Sequence, residues 1–255
     1  MILANKMRKT ILLILLVFVS IITNAQDSAS TKILLLPFNP DMYLSDIEQD
    51  IIQNTKMTPH EYRAYFRRAL DLKIQGELKS YRPTVSLMSD NEGDDKNELR
   101  EFYAQAGYSY IESVGKEVGK VISKKKSLFE KKTTEEKAPL YITTRGDDKF
   151  MNAAVTDKDF FNGLLSANGC NYAVSINQFE IKTNYSLCID LSKELYRREL
   201  IIHYSIIDAN SKLLGGNFLV VYFPSDVNKP QEIADKTFKS VAEAFLVQLK
   251  GTITN

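Results

Sequence analysis

Histidines and cysteines are where this chain of 255 residues would do chemistry at neutral pH, and it has two of each: His60, His203, Cys170 and Cys188. Nucleophilic catalysis needs a hydroxyl or thiol beside a base, and its local signatures include the Gly-x-Ser-x-Gly elbow and the Cys-x-x-Cys pair. Neither occurs, and no His-Glu-x-x-His zinc pair is present. Gly215-Gly216 lies between two strand-like runs rather than at a strand-to-helix junction, so it does not read as a phosphate loop. Ser89 to Lys96 carries Asp90, Glu92, Asp94 and Asp95, hard oxygen donors whose spacing does not match an EF-hand loop. The sequence predicts no metal site, no cofactor and no catalytic residue. The alternative is an envelope hydrolase whose His60 or His203 meets a Ser or Cys and an acid only in space. With 33 basic against 32 acidic residues, nothing electrostatic argues for a nucleic-acid partner.

The elements around these residues are partly legible. Lys32 to Phe38 (KILLLPF) is an apolar run ending at a proline, which predicts a buried strand. Asn39-Pro40-Asp41 is a turn, and Ser45-Asp46-Ile47-Glu48 reads as a capping box opening a short helix. Thr58-Pro59-His60-Glu61 is a second one, followed by Tyr62, Phe66, Leu70, Ile74 and Leu78 along one helical face. Arg82 to Met88 predicts a strand, and Asn97 to Ile122 a helix through Leu99, Phe102, Ala106, Tyr110, Val114 and Val118. Asp157 to Ala167 predicts another helix, stopped by Asn168-Gly169. Cys170 to Ile181, Tyr196 to Asp208 and Asn217 to Phe223 read as strands, with a tight turn near Lys182 between the first two. A last helix begins at Pro230. Ser123 to Lys137 is almost wholly polar and reads as a solvated loop.

Targeting is written at the start. Lys6, Arg8 and Lys9 precede the apolar run Ile11 to Ile22, and Thr23-Asn24-Ala25 offers small residues before Gln26. That order predicts a signal peptide, residues 1–25, cleaved near Ala25-Gln26. A dozen apolar residues rise only ~18 Å as a helix, short of a bilayer's ~30 Å hydrocarbon layer, so an uncleaved anchor is the weaker reading and a buried helix weaker still. No later run reaches transmembrane length. The expected location is the periplasm or the cell exterior. Cys170 and Cys188 would meet an oxidising compartment there, so a disulfide closing a loop of about 18 residues is possible. Buried, reduced thiols are the alternative, because a hairpin turning near Lys182 would set Cys188 opposite Gln178.

The predicted order is strand, helix, strand, a helical and charged insertion over about 90–157, helix, three strands and a helix. With its KILLLPF strand and the meander CNYAVSINQFEI, YRRELIIHYSIID, NFLVVYF, it resembles small periplasmic α/β assembly domains. These are the amino-terminal domain of the Tol translocation protein, the curli-assembly lipoproteins and the lipoprotein activators of penicillin-binding proteins. The resemblance implies a single α/β domain over 26–255: one mixed sheet with helices packed on it, and an antiparallel carboxy-terminal meander followed by a helix. It also implies an assembly or binding role rather than catalysis. This chain lacks the lipidated cysteine of those lipoproteins. The expectation is a non-catalytic envelope protein that binds another periplasmic or outer-membrane protein. The contact residues expected from sequence are Phe38, Met42 and Tyr43, in the apolar connection after the first strand; packing of that connection against the sheet is the alternative.

Overall fold

β1, Ile33–Leu36, is the shortest statement of the architecture: four apolar residues, all fully buried. Side chains alternate across a strand, so such a run forms only where both faces of a sheet are covered. In this computed structural model the described residues are 31–88, 96–114, the backbone of 140–141, and 149–253. The signal-like residues 1–25, the acidic residues 89–95 and the polar Ser123–Lys137 run lie outside them. All the elements belong to one unit, Lys32–Asn255.

The main sheet runs β3 (Thr84–Ser86), β1, β7 (Tyr172–Asp190), β8 (Leu195–Asp208), β9 (Leu213–Pro224), β5 (Leu140–Tyr141). β1 is parallel to both β3 and β7, and the three long strands form an antiparallel meander. β2, Tyr43–Ser45, pairs with β7 as well, at Phe179–Ile181, beyond the Tyr172–Ser175 stretch that β1 occupies. The expected mixed sheet with a terminal meander and helix is thus present.

One face carries two long helices, α2 (Pro59–Lys79) and α5 (Pro230–Ile253), over Ile33, Leu35, Ile202 and Leu219. α2 starts where its sequence says. The Thr58 hydroxyl accepts from the Glu61 N–H at 3.3 Å, and the Glu61 carboxylate accepts from the Thr58 N–H at 2.7 Å. The box expected at Ser45 does not form. The Ser45 hydroxyl accepts from the Ile47 N–H instead, and Glu48, which opens α1 (Glu48–Thr55), pairs with Arg63 of α2 at 2.5 Å.

The other face is covered by α3 (Asn97–Gln105), α4 (Lys158–Ala167) and a two-stranded ribbon, β4 (Gly107–Glu112) with β6 (Lys149–Ala154). The helix expected over 97–122 therefore stops at Gln105. Tyr108 and Tyr110 alternate with Ser109 and Ile111, and β6 supplies a partner about forty residues away that no local periodicity can reveal. Gly215 and Gly216, expected in a turn, lie in β9. An added Cβ on Gly216 would stand 2.3 Å from the Phe150 ring of β6, so glycine is what lets the ribbon rest on the sheet. Asp157 caps α4 by accepting from the Phe160 N–H, and Gly169, at φ 63°, stops that helix as its sequence predicts.

Candidate functional site

The connection after β1 was the expected contact, and its local chemistry turns it inward. Asn39 accepts from the Asp41 N–H, which tightens the Pro40–Met42 turn and returns the chain as β2. Phe38 is 1% exposed and Tyr43 6%. Both rings stand 5.3 Å from Phe179, with Phe66 at the same distance, and the Arg63 guanidinium lies over Tyr43. Burial holds the Tyr43 phenol well above its usual range. Phe38 and Tyr43 are therefore core residues, and Met42 alone of the three keeps partial access. Aromatic area that could serve a partner serves the β2–α2 packing instead.

The disulfide expected as a possibility is not made. Cys170 is buried and Cys188 exposed, both as free thiols. No turn occurs at Lys182: β7 runs on to Asp190, so the two cysteines lie along one extended segment. At ~3.3 Å per residue they are tens of ångströms apart, against the ~7 Å that bounds bridged Cα atoms.

The strongest candidate for chemistry is a polar seam between the sheet and the ribbon. β7 has a bulge between Ile176 and Gln178. The extra residue resets the alternation, so Ile176 and Phe179 both face the helices while Asn177, Gln178 and Glu180 face the ribbon. Asn177 donates to the Met151 carbonyl at 2.8 Å and to the Ser205 hydroxyl at 2.7 Å, and Ser205 donates to Asn152. Gln178 donates to Glu180 at 2.9 Å, Tyr110 donates to Gln178 at 3.0 Å, and Lys182 pairs with Glu180.

His203 of β8 sits in the middle of this seam. Its Nδ1 accepts from the Met151 N–H at 2.9 Å, and its Nε2 lies 3.8 Å from Glu180 Oε1. An Nδ1 that accepts a hydrogen bond carries no proton, so the structure holds a neutral ring. Burial, with the Lys182 ammonium second, pushes His203 down to about 4. A general base at neutral pH needs the reverse: access, and a pKa near the working pH. Among the described residues no serine or cysteine bonds His203, and the Ser205 hydroxyl is spent within the seam. The cluster fastens the ribbon to the sheet. His60 lies in the first turn of α2, on a different element.

The region that no core requirement explains is the far end of the β7–β8 hairpin. β2 ends at Ser45, and Asp46 closes the pairing by accepting from the Thr183 N–H at 2.7 Å. Past Thr183, β7 has no partner strand on that side among the described residues. β8 keeps β9 beside it as far as the Arg197–Pro224 pair, and the Ser225 N–H donates to the Tyr196 carbonyl. Beyond that the hairpin, with residues 185–187 bulged out of the pairing, runs on as a short two-stranded tip, the arm, to a turn at Leu191–Lys193. Asp190 accepts from the Ser192 N–H and hydroxyl, and Glu194 takes the left-handed conformation at φ 50°. Bonds from Ser192 hold the Asp190 carboxyl below its usual range.

The arm exposes Tyr185 (70%), Leu187, Ile189 and Leu191 (79%). Four large apolar side chains are exposed within seven residues, and exposed apolar area concentrated in this way marks interaction surfaces. The signal was present as the alternation Tyr185, Leu187, Ile189, which continues the strand past Lys182. Among the described residues no helix is long and apolar enough to cross a membrane. No family model and no curated protein matches this chain.

Proposed function

We propose that this chain is an exported, non-catalytic cell-envelope protein that binds another periplasmic or outer-membrane protein through its β7–β8 arm. The observation that carries the reading is the arm itself: large apolar side chains held in water on the bulged tip of the hairpin, outside the core clusters. Export is inferred from the basic, apolar and small-residue order of residues 1–25. A binding role rather than catalysis fits a His203 that is buried, neutral and committed to a backbone N–H.

The test is affinity capture from native envelope fractions with the full chain. The comparison variant carries Tyr185→Ser, Leu187→Ser, Ile189→Ser and Leu191→Ser together. The expected result is a protein recovered with the wild type and lost with the variant, while thermal stability stays within about 3 °C. Undiminished recovery with the variant would remove the arm from the interface. Full-length chain, with Met1 retained, in the membrane pellet would overturn the export reading.

A further inference from the structure

The ribbon is fastened to the sheet in a way that one proton can undo, and this feature is independent of the arm. In the β4–β6 ladder Tyr110 stands opposite Met151. Both backbone groups of Met151 serve the main sheet. Its N–H donates to His203 Nδ1 at 2.9 Å, and its carbonyl accepts from the Asn177 amide at 2.8 Å. Opposed residues of an antiparallel pair exchange two bonds or none, and Met151 with Tyr110 is of the second kind. The edge of β6 that another strand would ordinarily close is closed at this point by two side chains.

The two closures differ in chemistry. An amide side chain does not titrate, so Asn177 donates at any pH. Neutral imidazole has one acceptor nitrogen and imidazolium has none, because both of its nitrogens carry hydrogens. A protonated His203 would set Nδ1–H against the Met151 N–H, donor against donor, and no rotation of the ring restores an acceptor. The Met151 N–H would then be buried without a partner, which favours lifting its strand into water.

The remaining ties do not involve the ring. The Ser205 hydroxyl donates to Asn152 and the Tyr110 hydroxyl to Gln178, and Phe150 packs on Phe218, Val220 and Tyr222. At its Gly107–Ala154 end the ribbon leads into α3 and α4, which have their own cluster around Phe102, Phe161 and Leu164. The ribbon can therefore lift at Met151 while both helices stay packed.

Groups facing the ring decide how readily it charges. Among the described residues, β7 presents Glu180, with Oε1 3.8 Å from Nε2, and Lys182, which pairs with Glu180. β4 presents Tyr110, its ring edge-on at 6.0 Å; β6 and β9 present Met151 and Phe218, neither ionisable. On β8 itself Glu199, four residues away, shares the ring's side of the strand and accepts from the Asn184 amide. The Glu180 carboxylate favours a charged ring. Burial and the Lys182 ammonium oppose it and hold the ring down at about 4.

We propose that His203 is an acid-released catch: its protonation frees the Met151 N–H and lifts the β4–β6 ribbon off the sheet, uncovering Phe218, Val220 and Tyr222, while the meander and its helices stay folded.

Hydrogen exchange of the full chain at pH 7 and pH 4, resolved by peptide and corrected for the intrinsic pH dependence, tests the proposal. Peptides over 107–112 and 149–154 are expected to lose about a hundredfold in protection, as follows from a ring at 6.5 when free and about 4 when docked. Peptides over 200–206 should remain the slower to exchange at pH 4, with an unchanged far-UV circular dichroism spectrum. His203→Asn sets a carbonyl oxygen near the place of Nδ1, an acceptor at every pH, and should keep the ribbon protected at pH 4. Its melting temperature at pH 7 checks the fold, and the wild-type exchange decides the matter even where that variant is unstable. Ribbon protection equal at the two pH values would overturn the proposal, as would ribbon and meander opening together at one rate. An equal loss of ribbon protection in folded His203→Asn would overturn it too.

Discussion

The two ends of the β7–β8 hairpin are the same two strands in two environments. From Tyr172 to Ile181, β7 is covered on both faces, and Phe179 is enclosed by Phe38, Tyr43, Phe66 and Phe238. From Thr183 to Asp190 the strand carries side chains as apolar as before, yet helix, ribbon and β2 have all ended. At the base, apolar residues hold the fold together. On the arm, equivalent residues remain in contact with water. Apolar character alone therefore does not distinguish a core from a contact surface. What distinguishes them is whether another element reaches that stretch of strand.

The sharpest way to break this comparison is Phe179→Ala. It empties the centre of the aromatic cluster and should cost about 3 to 5 kcal/mol, read as a lowered urea midpoint at unchanged slope. A loss under about 1 kcal/mol would mean the base is not the anchor described here.

The buried titratable groups come next, and their signs oppose. His203 is lowered from 6.5 to about 4, so the unfolded chain takes up its proton first as pH falls. That contribution is whole above about pH 6.5 and shrinks by about 3 kcal/mol on reaching pH 4. Asp71 is raised by burial from 3.8 to about 6. Its contribution is whole below about pH 4 and falls by a similar amount as pH rises through 6, roughly 3 kcal/mol. The two offset in the wild type, and single variants expose them. Urea midpoints should show His203→Gln gaining on the wild type as pH falls from 6.5 to 4, and Asp71→Asn gaining as pH rises through 6. A pH-independent difference for either variant would show that the group titrates alike in both states.

The smallest effect belongs to the arm. Leu191→Ser alone should leave the unfolding free energy within about 0.5 kcal/mol, since the side chain gains little shelter on folding. A loss above about 1 kcal/mol would show that the arm packs as the base does.

Legibility followed the range of the interactions. The α2 capping box, the α4 stop at Gly169 and the both-face burial of β1 are decided within a few neighbouring residues, and each was readable from them. The course of residues 97–112 was not: the spacing reads as a helix that runs on to Ile122, and β6 turns residues 107–112 into a strand. The Asn177 bulge was equally invisible, because alternation through Ile176 gives no sign that Phe179 will face the same side.

What the sequence determined by itself was the fold class, the start of α2 and the end of α4, and the basic-then-apolar order of residues 1–25, all properties of short windows of chain. Only the tertiary structure decided that Phe38 and Tyr43 are core, that Cys170 and Cys188 stand apart on one extended segment, and that His203 is spent on a backbone N–H. It also decided which apolar residues remain in water. The physical reason is common to all of these: burial, pairing and protonation depend on which distant element arrives alongside, and a residue's neighbours in sequence carry no record of that.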